Sequence, residues 1–169
     1  MILREFQESD AEYIVNWIGN EREFRMWCAD RYEKYPIAAE DIINNYRRCS
    51  ENGGFFPLTA VNEEDRPIGH IIIRYTDIEK KTVRYGFVII DSSLRGKGAG
   101  REMLMLAEKY AAEFLKAEKI TLGVFEENTS ALKCYAESSF VPTEQFEYVQ
   151  IAYEKWKCVE LEKKDIEHG

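Results

Sequence analysis

A short glycine-rich segment near the middle of the chain carries the clearest chemical signal. It lies between a β-rich run that ends at Ile90 and an amphipathic helical pattern. The first N–H groups of a helix have no partner within the helix, and glycines let an anion approach the backbone. Cationic side chains add to this, because hydrogen bonds to charged groups contribute roughly 1.5 to 3 kcal/mol each. The segment predicts a phosphate or pyrophosphate site formed by Arg95, Gly96, Lys97, Gly98, Ala99, Gly100 and Arg101.

The spacing separates this segment from two common phosphate-binding motifs. A P-loop places Ser or Thr after its lysine, whereas Lys97 lies between two glycines. A dinucleotide fingerprint follows the first strand of a parallel βαβ unit, whereas this G-x-G-x-G follows several strands predicted to be antiparallel. A tight turn with solvated basic residues is the plain structural interpretation. It accounts poorly for three glycines and three cations in seven residues at a helix start.

The predicted elements around this turn give an α+β pattern. A strand over residues 2–6 precedes a first helix, whose start is marked by the capping-box spacing of Ser9 and Glu12. The polar stretch after Phe140 is interpreted as one or two strands joined near residues 143–147. Between these ends we expect helices near residues 23–27 and 40–49, antiparallel strands at 55–61, 67–75 and 82–90, a helix at 98–116, a strand at 119–125 and a helix at 128–136.

Composition excludes several classes of protein. The chain has 169 residues and a net charge of -8, which disfavours a nucleic-acid partner. Four scattered cysteines and two histidines suggest neither a metal site nor disulfides. Apolar runs are far shorter than the roughly 20 residues of a membrane helix. We therefore expect a cytoplasmic protein without a metal or a membrane partner, forming a single domain over residues 1–169 with a polar tail from about 162. A homodimer is one assembly that the sequence leaves open.

Two motifs together resemble a known family. The R-x-x-G-x-G pattern of Arg95, Gly98 and Gly100 is similar to the pyrophosphate loop of the GNAT superfamily of acyl-CoA-dependent N-acetyltransferases. About 30 residues later, Asn128-x-x-Ala131-x-x-x-Tyr135 resembles a second segment of that family. There Ser139, before Phe140, stands where the family usually has glycine.

The resemblance extends over roughly residues 2 to 155. The opening Leu3-Arg4-x-Phe6-x-x-x-Asp10, the helix of Trp17 and the run Gly69-His70-Ile71 look like the subgroup of ribosomal-protein N-terminal and spermidine acetyltransferases. The resemblance implies a mixed, mostly antiparallel sheet flanked by helices, with splayed central strands that hold acyl-CoA. Acetyl-CoA would be the cosubstrate. The main chain of Val88, Ile89 and Ile90 would bind the pantetheine arm, with a backbone N–H near Val88 facing the thioester oxygen.

The resemblance also assigns two polar side chains. Tyr135 would be the acid that protonates the coenzyme A thiolate, since a phenol keeps its proton at neutral pH. Asn128 would cap its helix and bind the pantetheine amide. An ordinary half-buried tyrosine and a simple helix cap are the structural alternatives.

The general base is the point where this sequence departs from the family. Many relatives have Glu before the Gly-aromatic pair of the fourth strand, but here the residue is Arg84, which cannot accept a proton. The amine would then arrive neutral, lose its proton through water, or use Glu126, Glu127 or His70. Arg84 is interpreted either as a solvated strand arginine or as a group that binds an anionic part of the acceptor.

We expect the acceptor pocket between the first helices, including residues 21–27, and the last strand connection near residues 145–148. Acidic residues there favour a cationic primary amine, either of a small molecule or of a peptide N-terminus. Two other functions stay open. One is a non-catalytic acyl-CoA sensor that lost its base, and the other is an O-acyltransferase or a transferase of a longer acyl group.

Overall fold

The computed structural model describes residues 1–166 as a seven-stranded sheet with helices packed on both faces. The strand order is β1-β2-β3-β4-β5-β7-β6. The strands are β1 (Ile2–Glu5), β2 (Phe55–Val61), β3 (Pro67–Tyr75), β4 (Thr82–Ile90), β5 (Lys119–Phe125), β6 (Val141–Ile151) and β7 (Glu154–Lys164). The helices are α1 (Ala11–Trp17), α2 (Glu21–Cys28), α3 (Ala39–Ser50), α4 (Ala99–Glu113) and α5 (Thr129–Glu137). The expected α+β fold with a mostly antiparallel sheet is confirmed.

Each face of the sheet has its own apolar core. Ile71 and Ile73 of β3 pack on the face covered by α4, which contributes Met103, Ala107 and Ala111. Ile72 of β3 points to the opposite face, where α1, α2 and α3 pack. Side chains of a strand alternate between faces, so a central strand buried on both sides is apolar at nearly every position. The run Ile71 to Ile73 therefore fixes β3 at the centre of the sheet.

The pairing of β4 with β5 is parallel and short. It covers the register Thr82 with Lys119 through Arg84 with Thr121. Beyond these pairs β4 runs on to Ile90 and β5 to Phe125, paired with their other neighbours. The two strands diverge after Arg84, which gives the expected splay. The main chain of β4 that faces β5 is consequently available to a ligand.

Three expectations about local structure were wrong. Ser9 and Glu12 do not cap α1, because the Asp10 carboxylate instead accepts the backbone N–H of Gln7 at 2.8 Å. The last two strands are joined at residues 152–153 and not at 143–147. The polar tail begins later than residue 162, because β7 runs to Lys164 and Ile166 is buried in the core. The rest of the expected tail, residues 167–169, lies outside the described residues.

Candidate active site

A β-bulge in β4 lies where the splay opens. Gly86 pairs with Ile72 and Ile89 pairs with His70, so β4 has one extra residue between these pairs. Phe87 in the bulge has a φ of 49°, which is uncommon for a residue with a Cβ. Bulges re-aim the backbone, and this one precedes Val88, the residue whose N–H was expected to face a thioester.

The glycine-rich loop has the geometry expected of an anion site. Gly98 is the N-cap of α4, with a φ of 87°, and no side chain caps the helix. Gly96 has a φ of 75°. A Cβ built on either glycine meets nothing within 4 Å, so the space over the loop is open. The free N–H groups and dipole of a 15-residue helix therefore face an open approach, which fits a pyrophosphate.

Arg95 serves the loop differently from a free cation. Its guanidinium donates to the carbonyl of Trp17 at 2.8 Å and its Nε to the carbonyl of Ile90 at 3.3 Å. It also lies 3.5 Å from the Glu23 carboxylate. These contacts tie the loop to α1, α2 and β4, so Arg95 holds the loop in place. Arg101 is less engaged, with one ion pair to Glu137 at 3.9 Å.

One cavity of about 810 Å³ brings most of the predicted site residues together. From the loop, Arg95, Gly96, Gly98, Gly100 and Arg101 line it. Val88, Ile89 and Ile90 line it from β4, and Asn128 and Tyr135 from the α5 segment. Two expected ligands differ: Lys97 and Ala99 are absent from the lining, and Lys97 is exposed. All three glycines of the loop therefore face the cavity, together with the two arginines at its ends.

The two polar residues of the α5 segment occupy the same wall. Asn128 accepts the backbone N–H of Ala131 at 3.4 Å, so it caps α5 as expected. Tyr135 is 7% exposed and packs edge-on against Phe140. Burial raises the pKa of Tyr135 above the ordinary value of a phenol. Its hydroxyl therefore stays protonated at neutral pH, as a proton donor must.

Residues of α2 also line this cavity. The sequence analysis had assigned them only to the acceptor pocket. Met26 and Trp27 reach it from α2 and Leu104 from α4. The Trp27 ring stacks on Tyr32 at 5.8 Å between centroids and contacts Phe87 at 5.1 Å. The bulge is thus covered by aromatic rings. The apolar side of α2, visible as Phe24 and Trp27 three residues apart, was the available signal.

A second cleft, of about 490 Å³, adjoins the first through Arg22, which lines both. Its α2 side carries Glu21, Asp30 and Glu33 together with Tyr32. Its other side is formed by the end of β6 and the start of the turn that follows, residues 150–152, and by Trp156 of β7. The α2 side agrees with the expected acceptor pocket. On the strand side the expectation of residues 145–148 was wrong, since the turn comes later in the chain.

Arg84 is not a solvated strand arginine. It donates to Thr121 Oγ1 at 3.3 Å and forms a bidentate ion pair with Glu160 of β7, both side chains being 24% exposed. Arg84 therefore links β4 to β5 and β7 at the last residue pair before β4 and β5 diverge. A base at this position is absent, as the sequence indicated.

The other candidate bases are engaged elsewhere. His70 is fully buried, 2.7 Å from the Tyr46 hydroxyl, and burial lowers its pKa to about 3. Glu127 pairs with Arg22 at 2.5 Å and Glu126 with Lys157 at 3.4 Å. His70 is therefore too weak a base and too far inside the core to deprotonate an amine.

Two further observations concern residues 1–166. Among them no three His, Cys, Asp or Glu side chains come together in a way that could hold a metal ion. Within the same part of the chain, every helix is too short or too polar to cross a bilayer.

The match to a family model identifies the class of protein that has this fold and this cavity. Residues 17–140 match the model described as the acetyltransferase (GNAT) family, and this stretch is most of the chain. The chain belongs to the GNAT acetyltransferase family. The matched region includes β4, the glycine-rich loop, α4 and Tyr135.

Individual relatives are more distant. A spermine/spermidine N(1)-acetyltransferase of Bacillus subtilis is 37% identical over 51 residues, 30% of this chain and 34% of the relative. Acetyltransferase PseH of Campylobacter jejuni is 31% identical over 80 residues, 47% of this chain and 48% of the relative. These matches span about a third to a half of the curated relatives. The crystal structure of spermidine N-acetyltransferase from Vibrio cholerae in complex with CoA and spermine has a TM-score of 0.79 at 20% identity, covering 96% of this chain and 94% of that chain.

Proposed function

We propose that this protein transfers the acetyl group of acetyl-CoA directly to a primary amine of a small molecule. The observation that carries the proposal is the single cavity in which the α4 N-terminus, the free side of β4 and Tyr135 meet. Each of these three features can bind or act on a different part of acetyl-CoA. Family membership and the relatives' names support the same chemistry.

The loop is proposed to bind the pyrophosphate. Gly96, Gly98 and Gly100 bring backbone N–H groups to the cavity, while Arg101 adds a positive charge beside them. Val88, Ile89 and Ile90 offer their main chain to the pantetheine amides, and Asn128 offers its side-chain amide. Bound acetyl-CoA supplies the thioester that the amine attacks.

The bulge and Tyr135 are proposed to act on the reacting groups. The N–H of Val88, re-aimed by the bulge at Phe87, stabilises the negative charge that develops on the thioester oxygen. Tyr135 donates its proton to the departing thiolate. Arg84 cannot act as a general base, so the amine either reaches the thioester in its neutral form or loses its proton to water.

The second cleft is the proposed acceptor entrance. Arg22 and Arg25, its basic residues, are already engaged with Glu127 and with main-chain carbonyls. Asp30 pairs with Arg31 at 4.0 Å, so among residues 1–166 the free charge of the cleft comes from Glu21 and Glu33, which attract an ammonium group. The relatives named for spermidine and spermine act on such cations.

Thiol release from acetyl-CoA in the presence of a panel of amines tests the proposal. Polyamines, amino acids, ω-amino acids, simple alkylamines and peptides form the panel, and simple alcohols are assayed beside them. We expect at least one small amine to be acetylated. Tight binding of acetyl-CoA without thiol release for any acceptor would instead favour the non-catalytic sensor. Release with alcohols alone would favour an O-acyltransferase. The cytoplasmic location and a homodimer stay predictions.

A further inference from the structure

Two arginines lie opposite each other on adjacent strands, just outside the residues that line the two clefts. Arg74 of β3 and Arg84 of β4 form a directly opposed cross-strand pair, so their side chains lie on the same face. This face is the one covered by α1, α2 and α3, because Ile72, two residues before Arg74 on the same strand, packs there. Like charges directly opposite each other destabilise a sheet unless a counter-charge lies near.

The available counter-charge satisfies only one of the two. Glu160 accepts both guanidinium nitrogens of Arg84. Arg74 is half-buried, and within residues 1–166 no carboxylate oxygen lies within 4 Å of its guanidinium. The pKa of Arg74 is lowered, mainly by burial and then by the nearby charge of Arg84. A third arginine, Arg31, is close enough to lower it further. Arg31 has its own carboxylate, since its Nε lies 4.0 Å from Asp30. Of the three guanidinium groups, only that of Arg74 therefore has no ion pair among residues 1–166.

The position of this cluster relates it to the acceptor. Arg31 lies between Asp30 and Tyr32, which both line the acceptor cleft. Tyr32 in turn contacts Phe87 at 5.7 Å, at the bulge. Along β4, Arg84 and Val88 are four residues apart, which spans roughly 13 Å of strand. None of the three arginines lines either cleft, so an acceptor bound with its amine at the bulge would meet them only with its far end.

We infer that Arg74, flanked by the already paired guanidinium groups of Arg84 and Arg31, forms an oxyanion subsite, and that the acceptor carries a carboxylate or phosphate in addition to its primary amine. The inference rests on the proposed acetyl transfer and narrows it. Guanidinium groups bind carboxylate and phosphate with paired hydrogen bonds, which a polyamine cannot accept. The acidic residues of the acceptor cleft attract the ammonium group of the acceptor, and the arginine subsite binds its anionic group. A zwitterionic acceptor satisfies both, whereas spermidine satisfies only the first.

Matched acceptors separate the contribution of the anion. γ-Aminobutyrate and 6-aminohexanoate are compared with butylamine and hexylamine, and phosphoethanolamine with ethanolamine, with spermidine as the polycation. We expect kcat/KM to be higher for the anionic member of the pairs that fit. The carboxylate and phosphate pairs show which oxyanion is preferred. A higher kcat/KM for spermidine than for every anionic amine overturns the inference while confirming acetyl transfer.

The Arg74→Gln variant tests the subsite itself. We expect kcat/KM for the preferred anionic amine to fall about 10- to 100-fold, mainly through KM, and the matched alkylamine to change less than about 2-fold. Arg74→Lys should recover part of the loss. Arg48→Gln removes an exposed arginine of α3 as the control. If Arg74→Gln behaves like Arg48→Gln with every acceptor, Arg74 binds no anion.

A binding measurement keeps the two proposals distinguishable. Calorimetric titration of γ-aminobutyrate and of phosphoethanolamine into the CoA complex needs no turnover. Binding in the unmutated protein that is lost in Arg74→Gln supports the subsite even if no thiol is released. Equal binding in both proteins, or none in either, contradicts it whatever the outcome of the transfer assay.

Discussion

The Tyr46 hydroxyl and Nε2 of His70 lie 2.7 Å apart between α3 and β3, with both residues buried. The other imidazole nitrogen, Nδ1, has no hydrogen-bond partner among residues 1–166. Burial lowers the pKa of His70 from 6.5 to about 3, because the lost hydration of the positive form outweighs the attraction of the Asp10 carboxylate. This pair stabilises the core only while the imidazole is neutral.

Stability should therefore fall as the pH is lowered below the pKa of an unfolded histidine. Between about pH 6.5 and 3 the unfolded chain binds a proton at His70 that the folded protein does not, so folding becomes less favourable as pH decreases. Lowering the pH from 7 to 5 should cost roughly 2 kcal/mol through this residue. Urea unfolding at several pH values, in the protein and in His70→Gln, measures the difference.

His168→Gln removes the other histidine of the chain and serves as the control for that comparison. The Asp10 carboxylate also loses its interactions in acid. Hydrogen bonds from Arg4, Gln7 and Thr59 outweigh the desolvation of Asp10 and lower its pKa below 3.8, so its contribution is lost only at lower pH. An unchanged pH dependence in His70→Gln between pH 7 and 5 would show that His70 is not buried as a neutral group.

The Tyr135→Phe variant should bind acetyl-CoA normally and turn over slowly. The ring and its contact with Phe140 are retained, but the transferable proton is removed. General acid catalysis contributes roughly 10²- to 10⁴-fold, so kcat should fall by that order. Tyr110→Phe, a half-buried tyrosine of α4, is the control. Full kcat in Tyr135→Phe would mean that water or another group protonates the thiolate.

Gly98→Val should weaken acetyl-CoA binding, and Gly53→Val should not. Both glycines have a positive φ, 87° and 70°, and neither has an atom within 4 Å of a built Cβ. The two variants therefore carry the same kind of backbone strain, about 1 to 2 kcal/mol. Only Gly98 lies where a side chain would cover the N–H groups of α4. Calorimetry should show a loss of about 10-fold or more for Gly98→Val alone. Equal affinities would remove the basis for placing the pyrophosphate there.

Arg95 and Arg101 should affect binding in different ways. Arg95→Gln breaks its bonds to the carbonyls of Trp17 and Ile90, so it should lower stability by about 1 kcal/mol and loosen the loop. Arg101→Gln should leave stability nearly unchanged but reduce the salt dependence of acetyl-CoA affinity, because a phosphate-facing charge is lost. Affinity measured at two salt concentrations separates the two roles. The opposite pattern would place the Arg95 guanidinium on the phosphates.

Sequence predicted the centre of the fold better than its last hairpin. The bounds expected for β2, β3, β4 and β5 agree with the structure, because their apolar runs end at Asn, Asp or Gly-rich turns. The β6–β7 turn contains no glycine: Ala152 adopts a φ of 53° instead. Residues 143–147, interpreted as the turn, lie at a register irregularity between Pro142 and Phe146. A polar irregularity within a strand and a polar turn look alike in sequence.

The candidate site, like the fold, was predicted from sequence only in part. The loop, the Val88 to Ile90 strand and Tyr135 were predicted because local motifs carry them. The Arg84 pair with Glu160 joins residues 76 apart, and the opposition of Arg74 and Arg84 depends on the register of β3 and β4. Neither relationship leaves a local pattern in the sequence. Long-range pairing of charges appears only once the strands are placed side by side.

The short contact between β4 and β5 divides the sheet into a four-stranded and a three-stranded part that are joined at three residue pairs. A ligand that bonds to the free side of β4 also ties these parts together. Amide hydrogens of Val88 to Ile90 should then exchange with deuterium more slowly when CoA is bound, while those of Val83 change little. The lifetime of the folded protein in the cell would follow the supply of the acetyl donor, since a ligand that binds only the native state slows its loss to unfolding and proteolysis.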